Sequence, residues 1–499
     1  MFEFQKTKVY QEAIKLIADL TDNLDREHNP ILCKKIEEES FSITSNLAKG
    51  LLNINSGNEN SYMNKCTESM MGLSALIDVA KEYKELNPKQ ITKLSKALAS
   101  LKDHLSNFKK RQKRILILSG TVGQGHMSAA NAIKDAIHHC YGYDYTVEIV
   151  DIMELISSTM NSITKTYYDS TTKYAPSLYK LWHENAGKNN QVMKLLNQVT
   201  YPFALTKIKK LLEDKKPDII VSTFPIWDYI VADIWKKSRK DAKLISVITD
   251  SIKIHNVYTL GEIDFHIVAN KESKQTLLNM DVNENKIKVL GFPVKLAFQK
   301  TINREDVLTS LGLNPKKLTV LFLPTAQSYR KNQQIVQTII KDKRNPNIII
   351  ITGRDSKNKP RLEKLTENTN AKVIGWTEKM AEFIKASDLI VTKAGGATTM
   401  ECIAAQKPMV ITSIIPGPEE GNVEFIKTYN LGRVSESMES FAEDFNYVAS
   451  NLKMFAKNLK EASNPDASIK IAEFINDLLE AESYEAPIYR REIEIKTLS

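Results

Sequence analysis

The sequence predicts an α/β protein in which two doubly wound domains facing a cleft follow an all-α four-helix bundle. Three observations predict it. Residues 1–110 carry helical periodicity throughout, with no β-type alternation. From residue 115, short β-branched apolar runs alternate with helical stretches, the pattern of parallel strands joined by crossover helices. After a helical interval near 301–312 that pattern starts again, so there are two such domains. A chain of 499 residues has room for about three domains. The expected divisions are 1–110, 111–305, 306–465, and a C-terminal helix and tail over 466–499.

The bundle helices are expected near 3–24, 31–54, 61–85 and 89–110. Turn residues separate them: His28-Asn29-Pro30, the stretch from Asn53 to Asn60 around Gly57, and Asn87-Pro88. In the last helix Ile91, Leu94, Leu98, Leu101 and Leu105 recur at three and four residues and form one apolar stripe. Lys109 to Arg114 (KKRQKR) reads as a solvated basic link. Strands are expected at 115–118, 147–150, 218–224, 244–249, 265–269 and 287–290. The second set falls at 318–323, 348–351, 371–376, 389–392 and 409–412. A last helix is expected over Ala467–Ala481, with a charged tail after it.

Composition narrows the function classes. Hydrophobic residues at 42% and charged residues at 26% are an ordinary globular balance. No apolar run approaches the ~18 residues of a membrane span, and the N-terminus has no apolar core of a signal peptide. Four cysteines without CxxC spacing argue against a disulfide framework or zinc site and fit a reducing cytosol. The net charge of +9 suits anionic partners. Much of it sits between Lys165 and Lys210, where eight lysines face only Asp169 and Glu184. Residues 1–110 are near neutral, with 16 basic against 15 acidic residues, which argues against strong nucleic-acid binding there. No D-x-D, Walker A, H-E-x-x-H or G-x-S-x-G pattern is present, so Asp-pair metal transfer, P-loop hydrolysis and serine hydrolysis lose support. No metal site and no cofactor is expected.

Five segments carry the chemistry. Gly120-Thr121-Val122-Gly123-Gln124-Gly125-His126 follows the first strand and opens a helix, where glycines admit a ligand and His126 can face the cleft as a general base, or merely cap or pack. Thr392-Lys393-Ala394-Gly395-Gly396-Ala397-Thr398-Thr399-Met400-Glu401 ends a later strand the same way and can hold a diphosphate on backbone amides and Thr398. Pro416-Gly417-Pro418-Glu419-Glu420-Gly421-Asn422 offers carboxylates and an amide to sugar hydroxyls, or is an acidic surface turn. Thr249-Asp250, with His255 and Tyr258, lies at the end of a strand and so at the cleft, as a functional or a structural pair. Between 153 and 210 the lysines are interleaved with aromatics, which suits an anionic membrane interface, ordinary solvated helices or single-stranded nucleic acid.

In this order the motifs resemble one family. Ser119–Ala130, Lys216–Pro225, Thr249–His255, Gly291–Lys295, Thr392–Glu401 and Pro416–Asn422 are similar to the monogalactosyldiacylglycerol synthase and processive diacylglycerol glucosyltransferase family, over roughly 113–450. The resemblance implies a GT-B fold of two Rossmann-like domains and inverting transfer of a hexose from a UDP-sugar, a co-substrate, to diacylglycerol. It implies His126 as base, with Gly123, Gly125, Asp250 and His255 on the acceptor side. On the donor side it implies Lys393, Gly395, Gly396 and Thr398 at the diphosphate, Glu401 at the ribose, Glu419 and Asn422 at the sugar, and Gly375 and Trp376 bordering the uracil. Lys165, Tyr167, Tyr168, Lys173, Tyr179 and Trp182 fall in the family's membrane-docking region, which implies a cytoplasmic protein peripheral on the inner face of the membrane and in contact with anionic lipids.

This chain departs from the pattern at three places. Leu323-Pro324-Thr325-Ala326-Gln327-Ser328 stands where the family has a glycine-rich loop, Pro418 replaces a common Gln, and Tyr258 replaces a Trp. The identity of the donor sugar therefore does not carry over. A polyprenyl-diphosphate acceptor with UDP-N-acetylglucosamine, and a non-catalytic scaffold binding nucleotide or nucleic acid, stay open as alternatives. Separately, Phe4–Ile17 and Phe41–Gly50 resemble the four-helix-bundle family encoded in ribosomal RNA intervening sequences, which implies an oligomerisation or docking module, a homo-oligomer through residues 1–110 being one form of it.

Overall fold

A computed structural model describes residues 5, 7–21, 27, 29–52, 59–111, 113–120, 124–142, 145–156, 204–225, 228–238, 243–325, 329–355 and 357–496. By its contacts the chain falls into two units, Met1–Ile115 with Ile137–Glu148, and Leu116–Ala136 with Ile149–Ser499.

The N-terminal helices are α1 (Lys8–Thr21), α2 (Pro30–Leu52), α3 (Glu59–Glu82) and α4 (Pro88–Arg111). Their starts follow from local chemistry. Proline occupies the first position of α2 and α4, where its missing N–H costs nothing. Asn29 Oδ1 accepts from Leu32 N at 3.2 Å. At α4 the cap is reciprocal: Gln90 N donates to Asn87 Oδ1 at 2.9 Å, and Asn87 N donates to Gln90 Oε1 at 2.8 Å. Each helix packs on its chain neighbours and α4 closes on α1, around one core. The predicted stripe of α4 lies in that core, with Leu94, Leu98, Leu101 and Leu105 buried and Ile91 partly so. Gly50 allows α2 and α3 to close up, since a Cβ there would lie 2.8 Å from Met63 Cε.

The first sheet contains β1 (Lys113–Ser119), β2 (Tyr145–Asp151), β3 (Ile219–Ser222), β4 (Lys243–Val247), β5 (Phe265–Val268) and β6 (Ile287–Val289), in the order β2-β1-β3-β4-β5-β6. The second contains β7 (Thr319–Phe322), β8 (Asn347–Ile351), β9 (Ala371–Ile374), β10 (Leu389–Lys393), β11 (Met409–Ser413) and β12 (Gly432–Val434), in the order β12-β11-β10-β7-β8-β9. All pairings in the second sheet, and those from β3 to β6 in the first, are parallel. Runs such as Ile348–Ile351 are buried along their whole length because helices cover both faces. In each sheet the strand order reverses once, between β1 and β3 and between β7 and β10. Those two switch points are where an open sheet leaves a crevice outside the carboxyl ends of its strands.

Two expectations need correction. β12 is a strand that the sequence reading did not expect; with only Gly432-Arg433-Val434 it has no apolar run to betray it. The last helix does not stop at 481 but runs Ala467–Lys496. It leaves the second sheet and returns to the first: Ser468 Oγ donates to the Val294 carbonyl at 2.6 Å, and Phe474 packs edge-on against Phe265. Gly291 makes the crossing possible, with φ +101° and a Cβ position only 2.4 Å from Asn464 Nδ2.

Leu101 is 1% exposed in the bundle core. Leu101→Ala is expected to lower stability by about 2–5 kcal/mol through lost burial and the cavity left behind; chemical denaturation of the full chain measures it.

Candidate active site

His126 stands in the first turn of α5 (Gln124–Tyr141), beyond the carboxyl end of β1. Its Nδ1 lies 2.7 Å from the Thr223 carbonyl. A carbonyl only accepts, so Nδ1 carries the proton and Nε2 is the basic nitrogen. Thr249 Oγ1 is 2.9 Å from the same Nδ1. Thr223 answers with its own hydroxyl, which donates to the His126 carbonyl at 3.1 Å. The Phe224 ring packs edge-on, 5.0 Å between centroids. The imidazole is thus gripped from the ends of β3 and β4. Burial pushes its pKa down to about 4, against the opposing pull of the Thr223 hydrogen bond. At neutral pH it is an uncharged base.

The strand-end cluster after β4 reaches this imidazole through Thr249. Thr249 Oγ1 is 3.0 Å from the hydroxyl of the buried Tyr258, which also accepts from Thr249 N at 3.3 Å. Asp250 is pushed up to about 7 by burial, opposed by a hydrogen bond from the His255 backbone. His255 caps the short turn Asn256–Thr259, its Nδ1 accepting from Val257 N at 3.2 Å. Gly125 lies beside His126; Gly123 is outside the described residues.

On the other side, helix Gly396–Ala404 begins directly after β10. Gly395 precedes it with extended backbone and no side-chain cap, so the amides of the first turn are not taken by a capping group. Thr398 sits in that turn. Lys393 is paired with Glu419, which is only 5% exposed and whose Oε2 accepts from Ile415 N at 2.8 Å. Asn422 Nδ2 donates to the Ala394 carbonyl at 2.8 Å. Glu419 and Asn422 therefore brace the loop that carries the glycines. Glu401 is pushed up to about 7 by burial, with Lys295 pulling it down. Gly375 follows β9 beside the Gly353 carbonyl, 3.7 Å from its Cβ position, and Trp376 is 58% exposed.

The sequence reading passed over several residues that shape this site. Thr223 is one residue past β3, and the rule that ligands gather at strand ends was the available signal. Lys331 donates to the Thr412 carbonyl at the end of β11, and partial burial lowers its pKa. In the glycine-free loop, Asn332 closes a ring on Thr325, accepting from its N–H at 3.2 Å and donating to its carbonyl at 2.8 Å. Residues 326–328 of that loop are outside the described residues, as are Lys165, Tyr167, Tyr168, Lys173, Tyr179 and Trp182.

Glycines bring the two halves together. A Cβ on Gly396 would lie 3.5 Å from the Thr249 carbonyl, and one on Gly125 would lie 4.0 Å from Ala397 N. A Cβ on Gly421 would lie 1.9 Å from the Ser251 carbonyl. The loop that receives this approach is strained: Ile252, a β-branched residue, holds φ +54°. Lys253 reaches across to Glu420 at 3.3 Å.

Residues 126–294 match the monogalactosyldiacylglycerol (MGDG) synthase family, and residues 325–481 match the glycosyltransferase family 28 C-terminal domain. A processive diacylglycerol β-glucosyltransferase of Staphylococcus epidermidis is 26% identical over 384 residues, 76% of this chain and 96% of that protein. One of the same description from Staphylococcus aureus is 27% identical over 332 residues, 66% and 83% of the two chains. Among solved structures, Acinetobacter baumannii MurG aligns with a TM-score of 0.49 at 12% identity, over 73% of this chain and 99% of that one. Anabaena HepE with UDP-glucose aligns with a TM-score of 0.45 at 13% identity, over 74% and 99%.

Gly421→Ala is expected to force the Ser251–Lys253 turn away from helix Glu420–Thr428 and to destabilise the protein by about 1–3 kcal/mol. Denaturant unfolding compared with wild type measures this; an unchanged midpoint would show that the loop gives way at no cost.

Proposed function

With an MGDG synthase domain followed by a glycosyltransferase family 28 C-terminal domain, the chain is a glycosyltransferase, and we propose that it moves a hexose from a UDP-sugar onto diacylglycerol with inversion at the sugar. One observation carries the reading. Thr249 touches both halves of the site: its hydroxyl lies on His126 Nδ1, and its carbonyl faces the glycine that opens helix Gly396–Ala404. A base and a set of anion-receiving amides are thus one residue apart.

The chemistry runs in a single displacement. The diacylglycerol hydroxyl gives its proton to His126 Nε2 as its oxygen attacks the anomeric carbon. The bond from that carbon to the UDP oxygen breaks, and UDP leaves with the electron pair. Its growing charge is met by the amides of Gly396 to Thr398 at the helix N-terminus, preorganised and in place before the reaction. Attack from the side opposite the leaving group inverts the anomeric centre. Gly375 and Trp376 border the base of the nucleotide, Glu401 the ribose, and Glu419 and Asn422 the sugar, with Lys393 balancing Glu419. Asp250 and His255 line the acceptor side.

The lipid acceptor implies work at a membrane surface. Among the described residues no helix is long and apolar enough to cross a membrane. In our reading the protein is peripheral on the inner face, docked by the basic and aromatic segment between Lys165 and Lys210, and the N-terminal bundle serves self-association.

The first test supplies diacylglycerol in anionic vesicles with UDP-glucose, UDP-galactose and UDP-N-acetylglucosamine separately, with mass-spectrometric detection. A glycosyl-diacylglycerol is expected with a hexose donor. His126→Ala should lower kcat by about 10²–10⁴-fold and leave UDP affinity unchanged. Because the imidazole pKa lies near 4, the limb of kcat/KM set by His126 should fall only below about pH 5, not near the ordinary 6.5. No lipid product from folded protein that still binds UDP would turn the reading to a polyprenyl-diphosphate acceptor first and to a non-catalytic scaffold second. For docking, Lys165→Glu with Lys173→Glu should weaken binding to anionic vesicles by about tenfold or more, at about 1 kcal/mol for each lysine near the surface. Unchanged vesicle binding would remove these lysines from the role.

A further inference from the structure

A buried carboxylate holds the turn after β3. Asp228 opens helix Asp228–Ser238 and is 2% exposed. Its Oδ1 accepts from the Ser222 hydroxyl at 2.5 Å, and its Oδ2 accepts from the Ser246 hydroxyl at 3.1 Å. Ser222 and Ser246 are registered neighbours on β3 and β4. One side chain therefore clips the ends of two adjacent strands. Ser222 Oγ also accepts from Phe224 N at 3.3 Å, which closes the turn Ser222-Thr223-Phe224 on itself. That turn presents the two groups that hold His126, the Thr223 carbonyl and the Phe224 ring.

The arrangement is costly to keep. Burial pushes the Asp228 carboxyl up to about 7, with the two serine hydroxyls pulling it down. A carboxylate taken from water and met only by hydroxyls destabilises the fold.

We propose that Asp228 is a positioning residue for sugar transfer: by clipping Ser222 and Ser246 it holds the Thr223 carbonyl and the Phe224 ring against His126, and so fixes the tautomer and the aim of the imidazole. This rests on His126 being the base. Asp228 touches no reacting atom; its effect passes through the turn.

The test uses the full chain and the diacylglycerol assay, with nitrogen NMR of the imidazoles, that of His126 assigned by its loss in His126→Ala. Asp228→Ala is expected to lower kcat roughly 10- to 100-fold, with the donor KM and UDP affinity unchanged. Asp228→Asn, which keeps an oxygen for Ser222, should restore most of the rate. Asp228→Ala added to His126→Ala should cost nothing further, since both remove one function. The NMR signal of His126 should move from a single Nδ1–H tautomer toward a mixture in Asp228→Ala. Wild-type kcat in Asp228→Ala, an unchanged imidazole signal, or a full further loss in the double variant would each overturn the proposal. If Asp228→Ala does not fold, Ser246→Ala removes half of the clip, and its imidazole signal decides in the same way. Failure of the base reading itself is a different result: His126→Ala would then turn over at the wild-type rate.

Discussion

The 2.7 Å hydrogen bond from His126 Nδ1 to the Thr223 carbonyl is the contact around which the site is arranged. Because a carbonyl cannot donate, this bond assigns the ring proton to Nδ1 and leaves Nε2 unprotonated. Because Thr223 follows β3 and His126 follows β1, the same bond spans the switch point of the first sheet. Thr249 and Tyr258 extend the network to the end of β4. Burial then keeps the ring uncharged at neutral pH.

Close backbone approach is the second constraint. The halves of the site come from domains with separate sheets, and their loops meet only because Gly396 and Gly421 lack side chains. The receiving turn stores strain at Ile252 to make the fit. The C-terminal helix supports the same arrangement from a distance by crossing from the second sheet back to the first, passing close over Gly291. Glycine thus serves two ends here, an uncapped helix start at Gly395-Gly396 and close backbone contact at Gly421 and Gly291.

Much of the fold was legible because its strands are buried on both faces. Such strands read as unbroken apolar runs, and eleven of the twelve begin or end within a few residues of where those runs lie. β12 escaped because an edge strand of three residues buries too little to need an apolar run. The glycine motifs were visible because a glycine just after a strand lets another part of the chain come close, as at Gly120 and Gly396. Asp228 and Thr223 carried no such mark. Each is an ordinary polar residue near a strand end, and its importance comes from what lies beside it in space.

Taken alone, the sequence determined the order of the elements, the helix starts at Asn29-Pro30 and Asn87-Pro88, and the residue types at the strand ends, because these follow from local propensity and hydrophobic period. Tertiary structure alone decided which nitrogen of His126 is basic, that Glu419 is tied to Lys393, and that Asp228 clips β3 to β4. Those outcomes join residues 97, 26 and 18 positions apart. Hydrogen bonding and desolvation act through space, and no pattern along the chain encodes which distant group will be the partner.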